Sequence, residues 1–457
     1  MSAAQTEHHV RPVVEGEPLA VGETVDIRDS ATGDAFATVE VGDEGTVTGA
    51  LAGADAARRS VRETAVAGRA GWCERIAADL RDRKPALADA LVRESGVPVT
   101  SARAEVAAAA EQFDRVADTL RSLTGKYRTW TTSTREGDNS LVAAAPLGVV
   151  RCRPSGRAPL AKAALQVAPA LGAGNAVVLT PPPTAAVTVS LFAEAVRATV
   201  PTGGVGFVPT TADADAPEAR TADAVLAGEP DGVTRFEQWL GGGTATLVFP
   251  DADLDAAATA LTEGGPSAVD SRLAGADCVI AHESVQDALV ERIDERMADW
   301  VAGDPFDEST VVGPLADGAT ARQFERQVDD AVAAGARLVR GGEVDGRVCQ
   351  PTVLADVPRE SSLRREPVAG PVVPVTPFGS TATALRLVTE TGPVGLARVF
   401  TDRHSLAMDV ADAVDAGLIE IYGSGADDGG TRRVGLDAEA ARAAISRLTR
   451  TKRVRTL

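Results

Sequence analysis

The spacing of apolar and polar residues changes several times along the chain, and each change marks a new element. Residues 21–41, VGETVDIRDSATGDAFATVEV, alternate in short runs around the turn signals Asp-Ser and Thr-Gly-Asp, which predicts a β-hairpin. Three helical stretches follow. The first is 47–64; the second, 72–95, puts Ile76, Leu80, Leu87 and Leu91 on one face; the third, 102–123, does the same with Val106, Phe113, Val116 and Leu120. Pro85 predicts a break in the second, since it has no N–H and its ring collides with the preceding turn. Residues 146–181 read as strand, loop, helix and strand, and residues beyond Pro209 as an acidic surface loop with one short helix. Further on, 247–250 read as a strand, Asp253 as the cap of a helix, and 278–281 as another strand. Ser284 opens a helix on which Val285, Leu289, Ile293 and Met297 recur every four residues, ending near Gly303. Residues 437–457 read as a short helix and a basic strand, RLTRTKRVRTL.

At 457 residues the chain can bury two or three cores without a disulfide or a metal. With 44% apolar and 24% charged residues it reads as a soluble globular protein. It has no apolar run long enough to span a membrane, and MSAAQTEHHVRPVV lacks the basic-then-apolar order of a signal peptide, so a cytoplasmic location is expected. A net charge of −19 and an isoelectric point near 4.8 argue against nucleic acid or an anionic membrane as partner, because that field repels both. Lys84, Lys126, Lys162 and Lys452 are the only lysines, and such an acidic, lysine-poor composition looks like that of a halophile, from a salt-rich cytoplasm. Cys73, Cys152, Cys278 and Cys349 are scattered, without a CxxC or a histidine pair; they support no metal site and read as small buried residues.

The densest pattern lies at 239–282: Leu-Gly-Gly-Gly after Trp239, a strand, Asp-Ala-Asp-Leu-Asp opening a helix, then the strand at 278–281. GDPFDESTVVGPL at 303–315 and QPTVLADVP at 350–358 follow in order, with REPVAGPVVPV at 365–375. In this order the segments resemble the aldehyde dehydrogenase superfamily. The resemblance implies an α/β fold with a Rossmann-like domain formed by 1–126 and 146–238, whose cofactor site is degenerate. It also implies a catalytic-type α/β domain at 239–436 and a β oligomerisation arm at 127–145 and 437–457.

The same resemblance marks where the family's chemistry should sit, and this chain departs from it there. The nucleophilic cysteine of the family falls on Leu273, its general-base glutamate on Trp239, its oxyanion-holding asparagine on Arg157, and a lysine of the next helix on Gln166. The lysine and glutamate that contact the adenosine ribose fall on Thr180 and Pro183. A glutamate for the nicotinamide ribose and a phenylalanine behind the nicotinamide ring fall on Pro367 and Ala369. The glycines at 203, 204 and 206 are a turn rather than a dinucleotide fingerprint, with Pro209 in place of the third glycine. Glu237 and Cys278 are the two residues that could rescue base and nucleophile, and Ser271, Asp270 and His282 are further neighbours of the lost cysteine.

The resulting expectation is a catalytically inactive member of the superfamily, with a structural, regulatory or binding role, no bound cofactor and no metal. One alternative is an active NAD- or NADP-dependent aldehyde dehydrogenase using non-standard residues. Another is an unrelated activity in the remodelled cleft, with Arg157 binding an anionic substrate. The basic C-terminal strand on an acidic body suits a homo-oligomer, or a hetero-oligomer with a related subunit.

Overall fold

A computed structural model describes residues 8–123, 126–129, 139–156, 158–211, 224–227, 243–262, 278–315, 317–366, 370–390, 394–423 and 438–456. The expected hairpin is present: strands Glu23–Arg28 and Ala35–Val41 pair antiparallel, and His8–Val10 runs parallel to the second. Helix Glu44–Glu63 follows, its first turn capped by Asp43, which accepts from the Thr46 N–H at 2.8 Å. The break expected at Pro85 separates helix Val66–Asp82 from helix Lys84–Ser95. Pro85 lies in the first turn of the latter, where a missing N–H costs nothing. Helix Val99–Ser122 buries Val106, Phe113, Val116 and Leu120 as its periodicity requires.

The first large sheet runs in the order Ala224–Ala227, Val149–Arg153, Ala176–Leu179, Val205–Phe207, Val13–Val14, Glu17–Pro18, and its first four strands are parallel. Helix Pro159–Ala173 and helix Ala186–Arg197 connect the consecutive parallel strands. Strand Ala224–Ala227 corrects the reading of the stretch beyond Pro209 as only loop and helix. Its four residues, AVLA, are too few to show a period within acidic text, and pairing with Val149–Arg153 is what makes them a strand. The strand order reverses beside Val149–Arg153, the kind of crevice where open α/β sheets bind ligands.

The second sheet has seven strands, ordered Arg337–Arg340, Thr352–Ala355, Val372–Phe378, Cys278–His282, Gly243–Val248, Val394–Phe400, Ala416–Tyr422. Only the first is antiparallel to its neighbour. Both faces are covered. Val248, Val279 and Ala281 pack with helices Leu254–Thr262 and Gln286–Met297; Leu247, Cys278 and Ile280 pack on the opposite side with helices Thr381–Thr389 and His404–Ala413. Helix Gln286–Met297 stops short of the expected Gly303, because Val301–Ala302 leaves it to pair in parallel with Thr310–Val312.

Strands Thr449–Thr456, Asn139–Pro146 and Lys126–Thr129 form a separate antiparallel sheet, in that order. The preceding helix, Ala438–Arg447, packs into the first core through Ala441, Ala444 and Ile445. Asn175 ties the sheet's root to the body: its Oδ1 accepts from the Gly148 N–H at 2.9 Å, and its Nδ2 donates to Ala170 O at 3.2 Å and Leu448 O at 3.0 Å.

The segment 303–315 lies along the seam between the two large units. The Val99 N–H donates to Pro305 O at 2.8 Å, Arg103 pairs with Glu308 at 2.7 Å, and the backbones of Gly96 and Gly313 cross closely enough to exclude a Cβ on either. Among the described residues, no helix is long and apolar enough to cross a membrane.

Candidate functional site

The carboxyl end of strand Val149–Arg153 leads into Pro154, Ser155, Gly156 and Ala158, and then into helix Pro159–Ala173. Ala158 is buried with φ +45° and ψ +52°, a left-handed conformation that costs a residue with a Cβ, and Pro159 restricts it further. Several bonds hold this turn. Lys162 Nζ reaches Ser155 Oγ at 2.6 Å, the Lys162 N–H donates to Ala158 O at 3.0 Å, and Glu105 accepts from the Leu160 and Ala161 N–H groups at 2.9 and 3.1 Å. Gln166 is buried; its Nε2 lies 3.5 Å from Arg153 O and its Oε1 has no hydrogen-bond partner among the described residues.

Thr180 follows strand Ala176–Leu179 and is buried; its hydroxyl accepts from Arg151 Nε at 3.1 Å, a side chain that is itself 3% exposed. Pro183 starts the short 3-10 turn Pro183–Ala185 and has no N–H to offer. Glu94, from helix Lys84–Ser95, caps the next helix. Its carboxyl accepts from the Val187 N–H at 2.7 Å, the Thr188 N–H at 2.8 Å and the Thr188 hydroxyl at 2.5 Å. Burial pushes Glu94 up to about 7, against the pull of those donors, and Glu105 up to about 8, against its two N–H donors and Lys162.

Both helix N-termini at this edge of the sheet therefore carry an internal carboxyl, supplied by a neighbouring helix. Neither glutamate nor Arg151 belongs to a motif in the sequence. The available signal was an acid on an apolar helix face: Glu94 lies beside Leu87 and Leu91, and Glu105 directly precedes Val106.

Cys278, the possible replacement nucleophile, is the first residue of a central strand. Its side chain points to the face covered by Thr381–Thr389, opposite Val279. It is 1% exposed, and burial raises its pKa although the Arg364 guanidinium beside it pulls the other way. The other thiols are equally sealed. Cys73, Cys152 and Cys349 are each 0% exposed, and burial pushes Cys73 and Cys349 up to about 12 and Cys152 higher still. His282 ends the same strand as Cys278, its ring edge-on to Phe378 and its Nδ1 2.8 Å from Ser284 Oγ. Arg157, Glu237, Trp239, Asp270, Ser271, Leu273, Pro367 and Ala369 lie outside the described residues.

Arg398, on strand Val394–Phe400, is another buried cation. It is 2% exposed, donates from Nη1 to Ala260 O at 2.9 Å near the end of helix Leu254–Thr262, and lies 3.5 Å from Glu420.

Comparison with known proteins agrees with this architecture. The profile of the aldehyde dehydrogenase family matches residues 19–454. The 3,6-anhydro-alpha-L-galactose dehydrogenase of Streptomyces coelicolor is 32% identical over 443 residues, covering 88% of this chain and 86% of that protein. The glutarate-semialdehyde dehydrogenase of Pseudomonas putida is 28% identical over 424 residues, covering 88% and 86%. Among solved structures, the NADP-dependent glyceraldehyde-3-phosphate dehydrogenase of Bacillus halodurans superposes with a TM-score of 0.87 at 23% identity, covering 98% of this chain and 99% of that one. The succinate-semialdehyde dehydrogenase of Burkholderia pseudomallei gives 0.86 at 24%, covering 98% of each. A profile match over nearly the whole length, with a relative 32% identical over most of both chains, shows that this chain belongs to the aldehyde dehydrogenase family.

Proposed function

We propose that this chain is a family member that has given up the family's thiolate chemistry and acts as a binding or structural subunit. The observation that carries the reading is the state of its sulfur. The chain has four cysteines; all four are at most 1% exposed, and burial raises the pKa of each. A thiol nucleophile needs access and a populated thiolate, and these have neither. The substitutions Leu273 and Trp239 at the family's nucleophile and base positions support the same reading.

A nicotinamide dinucleotide does not suit the described residues of the sheet edge. Thr180 replaces the family's lysine and its hydroxyl is engaged by Arg151, Pro183 replaces the family's glutamate, and both helix N-termini are filled from within. The proposed protein therefore binds no NAD or NADP. Titration calorimetry with each nucleotide at high salt tests this; saturable binding in the micromolar range sinks the cofactor part of the proposal.

A second reading, an active NAD(P)-dependent dehydrogenase using other groups, is favoured by the 32% identity to a protein named as a dehydrogenase. Aldehyde-dependent reduction of NAD or NADP that survives Cys278→Ser and is lost with Glu237→Gln supports that reading over the first. The subunit role rests on the three-stranded sheet, whose basic strand Thr449–Thr456 contrasts with a net charge of −19. Light scattering on the purified protein should give an oligomer. A monomer at micromolar concentration refutes the homo-oligomer version, and copurification of a related chain supports the hetero-oligomer.

A further inference from the structure

We propose that Glu105 is the positioning residue for Ala158: a built-in carboxyl, sent from helix Val99–Ser122, that fixes the start of helix Pro159–Ala173 and thereby holds Ala158 in its left-handed conformation. Glu105 is 0% exposed, and one oxygen accepts both the Leu160 and the Ala161 N–H. These are among the N–H groups that a helix leaves without internal partners, and they lie at the positive end of its dipole. A helix N-terminus beside a strand-order reversal is where an open α/β sheet receives an anionic ligand. Here the chain itself supplies the acceptor, the Glu105 carboxyl.

The turn is held from its other side by the bond from Lys162 Nζ to Ser155 Oγ, so Ala158 lies between two anchors. Neither anchor involves a residue of the family's chemical machinery. The second oxygen of Glu105 has no hydrogen-bond partner among the described residues, so the helix end makes all of the carboxyl's hydrogen bonds there. Glu94 provides an internal comparison. It makes the same kind of cap on helix Ala186–Arg197, which carries no left-handed residue at its start. The two caps are separate devices, and only that of Glu105 bears on the turn.

The inference is independent of whether the cleft takes a nucleotide, and its test measures the turn and not a ligand. Hydrogen–deuterium exchange is followed by mass spectrometry on the wild type, Glu105→Ala, Glu105→Gln and Glu94→Ala. Glu105→Ala should raise exchange in the peptide 154–161 about tenfold while leaving 186–190 unchanged. Glu94→Ala should do the reverse. Glu105→Gln, which keeps an acceptor oxygen of the same reach, should stay close to wild type. Sodium formate should restore protection of 154–161 in Glu105→Ala by entering the vacated space, and sodium chloride at equal ionic strength should not. Uniform loosening of the whole first unit, an unchanged peptide 154–161, or equal rescue by both salts overturns the proposal. If Glu105→Ala does not fold, Glu105→Asp is measured instead: its shorter reach should loosen 154–161 selectively, and an unchanged peptide again overturns the proposal.

Discussion

Replacing Gly96 with alanine should weaken the seam between the two large units. Gly96 ends helix Lys84–Ser95 at φ +74°, and a Cβ built there would lie 2.0 Å from Pro314 O and 3.2 Å from Ser30 Oγ. Two costs add. Left-handed backbone with a Cβ costs about 1 kcal/mol relative to glycine. Relieving the clash requires one backbone to retreat by roughly 1 Å, in packing that has no slack. The retreat is opposed at once, because a Cβ on Gly313 would lie 1.8 Å from Gly96 O and the Val99–Pro305 bond crosses the same seam. Losing one or two such hydrogen bonds adds about 1 kcal/mol each, so the variant should be about 2–3 kcal/mol less stable. Gly49→Ala is the control: Gly49 is exposed inside helix Glu44–Glu63 with nothing within 4 Å of the new methyl, and the change should stabilise by about 0.5–1 kcal/mol. Thermal unfolding at fixed protein concentration reads both. Gly96→Ala should lower the midpoint by several degrees while Gly49→Ala raises it. A midpoint for Gly96→Ala equal to wild type refutes the reasoning, since the seam would then yield at no cost.

The four thiols should resist a water-soluble thiol reagent in the native protein and all react after unfolding; stoichiometric labelling of Cys278 under native conditions contradicts its burial. Glu94→Gln should change the pH dependence of stability. With the folded pKa raised from 4.5 to about 7, the contribution is complete below pH 4.5, falls as pH rises toward 7 and is gone above it. Glutamine has no such slope, so from pH 5 to pH 8 the variant should gain on wild type by on the order of 3 kcal/mol in denaturant titrations. A difference that stays flat means the three donors outweigh burial. Asn175→Ala leaves the Gly148 N–H without its partner and Leu448 O with only the Leu147 N–H at 3.4 Å, at a cost of about 1–3 kcal/mol, and should loosen the three-stranded sheet from the body. Faster proteolysis within Thr449–Thr456 than elsewhere is the expected readout; uniform proteolysis counts against the anchoring role.

Long periodic segments were legible because burial on one face imposes its spacing on the sequence. The helices at 44–122 and the sheet strand at 278–282 needed no tertiary information. Strand Ala224–Ala227 escaped because four residues carry no period, and the end of helix Gln286–Met297 was overrun because Val301–Ala302 is claimed by a strand partner. In the candidate site, Thr180 and Gln166 are marked only by the family resemblance. The engagement of Thr180 by Arg151 and the caps from Glu94 and Glu105 were not legible, since each joins residues separated by 29 to 94 positions.

The sequence by itself determined the family resemblance and the order of most of the elements. Those are local properties: side-chain identity and spacing. Only the tertiary structure decided that the remaining sulfur is out of reach, because exposure depends on what covers a strand face, and Cys278 is covered by helix Thr381–Thr389. It also decided that two helix ends at the sheet edge are filled by the chain's own carboxyls. A glutamate on an apolar face states its cost in the sequence, but the N–H groups that justify it come from another helix, and only folding brings them together.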